Sequence, residues 1–305
     1  MSAPDSTASR VRRGAVVAAL ALTGTAPPIG CRPRSAALPL VAATVFPIQD
    51  LVRRVAGERT EVQLVLAPGL SPHAYEPRPR DIAKLADAGL VFAVGLGLDE
   101  WIQGLARSAG AGEARVFELG PLLDPMLAPP GLLRMEPVID AHFWLDPVRV
   151  LRAVDVIVNA LSSLDPEEAP SYRLRGDELK RSIHELHREI ERRAGGWRRR
   201  RIVSFHGSLF YFAARYGLEV VAVVQPVPGQ EPTARHLADL LSRLREPEPP
   251  ALFAELEMDR QLATAVAREA GVPLRTVDTL GGGPGTDSYE KLLRQVTAAM
   301  DEALR

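Results

Sequence analysis

From Leu38 onward, short uninterrupted apolar runs alternate with longer stretches in which apolar residues recur every three or four positions. The runs at 40–45, 62–66, 90–94 and 114–119 read as strands, and the segments through Val52 and Val55, over 81–88 and over 99–108 as helices. Strands that alternate with helices specify a parallel sheet, because parallel neighbours need a crossover connection. The proline- and leucine-rich stretch 121–138 has no period and reads as a loop.

Asp146-Pro147 then supplies an N-cap and a first-turn proline for a helix to about Leu164. Asp165-Pro166 repeats the signal for a long, charged helix with Leu174, Leu179, Ile183, Leu186 and Ile190 on one line, ending before Gly195-Gly196. Such a helix between two α/β regions reads as a rigid connector. Alternation resumes after it, with strands at 202–205, 220–224, 251–254 and 274–277 and a last helix from Ser288 to the C-terminus. The expected fold is α/β, with two lobes of four strands each in mostly parallel sheets. The expected boundaries are 38–165 for the first lobe, 166–195 for the connector and 196–305 for the second lobe.

Composition supports a packed globule. Of 305 residues, 46% are hydrophobic and 25% charged, and the length suits two lobes better than one core. With 37 basic against 38 acidic residues the net charge is −1, which gives no basis for a nucleic-acid partner. The single cysteine, Cys31, rules out a disulfide framework or a thiolate zinc site within the chain.

Residues 1–37 read as an export segment: Arg10, Arg12 and Arg13 precede an apolar stretch, 14–24, too short to span a bilayer. The preferred reading ends it in a lipoprotein-like box, Pro28-Ile29-Gly30-Cys31, with lipid on Cys31 placing the protein on a membrane surface. The other cleaves after Ser35-Ala36-Ala37 and releases a soluble protein. Either way the mature chain is expected outside the cytoplasm.

Three histidines stand in unusual company, His73 in SPHAYEP, His142 in DAHFWLDP and His206 in VSFHGSLFYF. Rigid prolines and bulky aromatics can hold an imidazole at fixed orientation. With Asp278 in TVDTLGGG they make a tetrahedral donor set for a borderline-soft divalent ion, zinc before manganese or iron. His73, His206 and Asp278 each follow a strand and His142 precedes a helix, so all four can face a cleft between lobes, where open α/β sheets bind ligands. Asp278 could equally be a turn former. Glu255 and Glu231 point the same way. Glu255 could accept an imidazole N–H beside the ion or serve as a helix cap, and Glu231 suits a solvated role better. His184, His187 and His236 lie in charged helical surroundings and read as solvated.

These segments together resemble the metal-binding solute-binding proteins that deliver zinc or manganese to ABC importers (cluster A-I). The likeness runs from Leu38 to the C-terminus through HAYEP, HFWLDP, FHGSLFYFAARYGL, EPTARHLADL, FAE and DSYEKLLRQ. It implies two Rossmann-like lobes joined by one long helix, with His73, His142, His206 and Asp278 as ligands. Histidine at position 206 is similar to the zinc branch. The implied partners are an ABC permease and its ATPase, the chain working as a monomer and not as an enzyme. Many zinc members carry a His-rich loop where 120–139 has no histidine, which removes a metal-gathering role for that loop. The contrasting class is a secreted zinc hydrolase using Glu255 as base, but the chain lacks an HExxH helix.

Overall fold

The computed structural model describes residues 40–110, 116–133, 138–244 and 251–305. The export segment, Cys31 and the Ser35-Ala36-Ala37 site lie outside the described residues, as do positions 114 and 115 of the expected fourth strand. Among the described residues no helix is long and apolar enough to cross a membrane.

The first lobe is built from β1 (Leu40–Ala43), α1 (Phe46–Ala56), β2 (Val62–Leu64), α2 (Pro79–Leu85), β3 (Ala88–Ala93), α3 (Trp101–Ser108) and β4 (Val116–Glu118). Its strands are all parallel, in the order β2-β1-β3-β4. β1 and β2 are shorter than their apolar runs, yet the runs stay bonded: Val65 and Leu66 donate to the carbonyls of Ala43 and Thr44. Helices on both faces explain why these strands are continuously apolar instead of alternating.

Helix α4 (Pro147–Leu164) begins where its sequence signal puts it, with the Asp146 carboxylate accepting the Val148 amide. After a short turn, α5 (Ala169–Ala194) runs for 26 residues, about 39 Å at the usual rise. Its buried line is Tyr172, Gly176, Leu179, Ile183, Leu186 and Ile190. Leu174, expected on that line, is 62% exposed. The line passes through Gly176 because α4 comes close: a Cβ there would sit 2.6 Å from Val158 Cγ2. Helix α5 therefore joins the lobes with one face embedded against α4 and α1, not as a free-standing strut.

The second lobe repeats the first. It contains β5 (Arg201–Ser204), α6 (Phe210–Tyr216), β6 (Glu219–Val223), α7 (Ala234–Leu244), β7 (Ala251–Glu255), α8 (Arg260–Ala270), β8 (Leu274–Val277) and α9 (Tyr289–Leu304). Strand order is β6-β5-β7-β8, again parallel. In each lobe the chain leaves the first strand to one side and returns on the other, creating a crevice at the strands' carboxyl ends.

One apolar core runs through both lobes, taking Phe92 from β3, Ile183 from α5, Phe253 from β7 and Leu292 from α9. Smaller clusters lie around Val203, Leu240 and Val266, and around Val65, Leu85 and Ile102. Polar ties cross the same boundary. Trp144 Nε1 donates to the Thr279 carbonyl at 2.7 Å, and Tyr289 Oη donates to the Trp144 carbonyl at 2.8 Å.

Candidate metal centre

His73 sits on a single 3₁₀ turn (Pro72–Ala74) beyond β2, His142 just before the turn Phe143–Leu145 that leads into α4, and His206 two residues past β5. These loops bring one coordinating nitrogen of each ring within 4.8 Å of the others. His142 and His206 are 6% and 2% exposed, and the Nε2 of His73 is buried without a hydrogen-bond partner. The two Nε2 atoms of His142 and His206 are 3.4 Å apart. Tetrahedral zinc with Zn–N near 2.0–2.1 Å places its nitrogens about 3.4 Å apart, so this edge already has the length the ion needs.

Carboxylates stand behind two of the rings. Asp140 Oδ1 lies 2.8 Å from His142 Nδ1 and also accepts the His142 amide at 2.9 Å. Glu255 Oε1 lies 2.9 Å from His206 Nδ1, an ion-pair contact that lacks the alignment of a hydrogen bond, and it accepts the Ser208 hydroxyl. With the Nδ1 atoms turned to acceptors, the Nε2 atoms face the common point between the rings.

Protonation follows from this layout. Burial, then the neighbouring imidazoles, lowers His73 to about 2, and burial with His206 beside it lowers His142 to about 3. Burial also disfavours charge on His206, but the Glu255 carboxylate outweighs it and the net shift is upward. Burial raises Asp140 to about 8, and burial with the charge of Glu255 raises Glu257 to about 7.

The structure brings the three histidines together and leaves Asp278 bonded within its own loop. Its Oδ1 accepts the amides of Leu280 and Gly281 at 3.1 and 2.7 Å, and its Oδ2 accepts the Thr286 hydroxyl at 2.6 Å. Glu231 is exposed and has no part in the cluster. His184 is exposed, His187 meets Tyr216 Oη at 3.2 Å, and His236 meets the Val223 carbonyl at 2.9 Å, all apart from the centre. Sequence reasoning missed Asp140, although an Asp two residues before a histidine can bond both its amide and its ring. It also missed Glu257 and Ser208.

A cavity of about 200 Å³ opens onto the cluster, lined by the three histidines with Leu96, Leu133, Phe210 and Pro226. A larger hollow of about 600 Å³, between Met126, Pro130 and α6, contains no histidine. The chemistry therefore lies in the smaller space.

Two parallel α/β lobes on shared helices, with imidazoles converging at the strand ends, define a two-lobed solute-binding protein with a metal centre. The chain belongs to the family described as zinc-uptake complex component A, periplasmic (ZnuA), whose model matches residues 41–303. It is 28% identical over 251 residues to the manganese-binding lipoprotein MntA of Halalkalibacterium halodurans, covering 80% of this chain and 81% of that one. It is 24% identical over 282 residues to the zinc-binding lipoprotein AdcA of Streptococcus pneumoniae, where 86% of this chain spans only 56% of the relative. Among solved structures it is similar to the SBP FpvC from Pseudomonas aeruginosa in complex with Mn²⁺, with a TM-score of 0.77 and 26% identity over 86% of this chain and 98% of that one.

Proposed function

We propose that this protein captures Zn²⁺ between its lobes outside the cytoplasm and hands it to an ABC-type permease and ATPase, with residues 38–165 and 196–305 as the two metal-binding lobes and 166–195 between them. The observation that carries this reading is the 3.4 Å separation of the His142 and His206 Nε2 atoms, with carboxylates at both Nδ1 positions. His73 supplies the third nitrogen. An oxygen of Asp278 is the proposed fourth donor, supported by its place directly after β8 and by its charge acting on Glu257 beside His206. In this reading Cys31 carries lipid and holds the receptor at the membrane.

A manganese cargo is the second reading, favoured by the names of MntA and of the FpvC complex. Three imidazoles suit zinc better, because manganese prefers oxygen-rich octahedral sites. The hydrolase reading is weaker, since its candidate base, Glu255, is engaged by His206 and Ser208. A competition titration of Zn²⁺ against Mn²⁺ at buffered free-metal levels tests the assignment. One zinc per chain, held more tightly than manganese and lost when His142 and His206 are both changed to alanine, is the expected result. No stoichiometric uptake would overturn it.

A further inference from the structure

His142 and His206 come from different lobes, so the 3.4 Å between them must be maintained by something that spans the boundary. Helix α6 follows His206 directly and carries Tyr211, which is 1% exposed. Its hydroxyl oxygen accepts the amide of Met126 at 2.9 Å. Met126 adjoins an isolated antiparallel bridge between Leu127 and Ile139, a short two-segment ribbon. Its rungs run from Ala128 N to the Val138 carbonyl and from Asp140 N to the Met126 carbonyl, each 2.8 Å. In a regular ladder the Met126 amide would bond back to Asp140. Here it donates to Tyr211. Asp140 stands opposite Met126 on the same rung, and its Oδ1 meets both the amide and Nδ1 of His142.

We propose that Tyr211 is a positioning residue that couples the two halves of the metal centre: its hydroxyl fixes the ribbon whose last residue, Asp140, orients His142 against His206. The ring alone does not explain the placement, because phenylalanine would fill the same space. The ring is further fixed by the Arg149 guanidinium, 4.9 Å from its centroid, and Arg149 also donates to the Leu123 carbonyl at 2.6 Å, so the approach to the ribbon is held from α4 as well.

The inference rests on the zinc-receptor reading, and the test separates the two. Zn²⁺ dissociation rates, visible spectra of the Co²⁺ form and apo melting temperatures are measured for the mature chain and for Tyr211→Phe, Asp140→Asn, their double variant and Tyr172→Phe. Tyr172 is an equally buried tyrosine on α5 and controls for general destabilisation. Removing the Tyr211 hydroxyl leaves the Met126 amide unpartnered, and a loss of this size corresponds to about tenfold faster zinc release. The expected result is that rise, a changed Co²⁺ spectrum, and less than additive effects with Asp140→Asn, while Tyr172→Phe lowers only the melting temperature. A release rate for Tyr211→Phe within twofold of the parent, or strictly additive effects with Asp140→Asn, overturns the coupling alone. A parent chain that takes up no stoichiometric metal overturns the receptor reading and the coupling with it.

Discussion

Arg215 and Asp146 form a two-pronged ion pair, Nε to Oδ1 at 2.7 Å and an Nη to Oδ2 at 2.8 Å. Asp146 is the N-cap of α4, four residues after His142, and Arg215 lies on α6, nine residues after His206. The two motifs that carry these histidines are thus fastened a second time, away from the point where the imidazoles converge.

Replacing Arg215 by glutamine leaves a nearly buried carboxylate with the Val148 amide and Arg149 at 3.6 Å as its remaining partners. The arginine is a third exposed, so the expected loss is moderate, about 1–2 kcal/mol. Apo melting should fall by roughly 2–6 °C, with one zinc still bound per chain. An unchanged melting curve would mean that the pair adds nothing net.

Zinc binding near neutral pH should release protons. His73 and His142, held at about 2 and about 3, are already neutral and contribute none. Asp140, raised to about 8, and His206, shifted upward, are both pushed toward holding protons that a cation on the Nε2 atoms displaces. Because the bound state holds fewer protons, affinity weakens as pH falls. Calorimetry at pH 7 in buffers of different ionisation heat should give a release of about one to two protons per zinc. Zero release would contradict this picture.

Asp278→Asn separates a ligand from a turn former. An amide oxygen can still accept from Leu280 and Gly281, so the loop is kept, but the charge is gone. The expected result is at least about tenfold weaker zinc binding with a small change in apo stability. Equal affinity in the two proteins would leave Asp278 with its loop role only.

Gly281 follows this aspartate at φ +72°, where a Cβ would lie 2.7 Å from Leu292 Cδ1 and 2.8 Å from Phe46 Cδ1. Gly281→Ala should destabilise the fold by at least about 2 kcal/mol. Denaturant unfolding of the apo protein measures it, and a shift below about 0.5 kcal/mol would show that Phe46 and Leu292 simply move aside.

Much of this was legible in the chain because it rests on local chemistry. Asp146-Pro147 starts α4 and Ser288 caps α9 by interactions within a few residues, so pattern alone places them. The contexts of His73, His142 and His206 were also local. What escaped depends on distant contacts. Tyr172 and Gly176 displace Leu174 from the buried face of α5 because α4 approaches at Val158, which no spacing rule contains. Strands β1 and β2 end before their apolar runs do, although Thr44, Val65 and Leu66 still bond to the neighbouring strand. The tie from Tyr211 through Met126 to Asp140 joins positions 85 residues apart in sequence, so no local pattern could have revealed it.

The apolar core shared by Phe92, Ile183, Phe253 and Leu292 has a consequence for how far the lobes can part. Swinging the lobes wide apart would expose that core to water, which apolar burial opposes. In the proposed receptor, occupancy would then be signalled by the few loops around the three imidazoles and not by a change in the outline of the molecule.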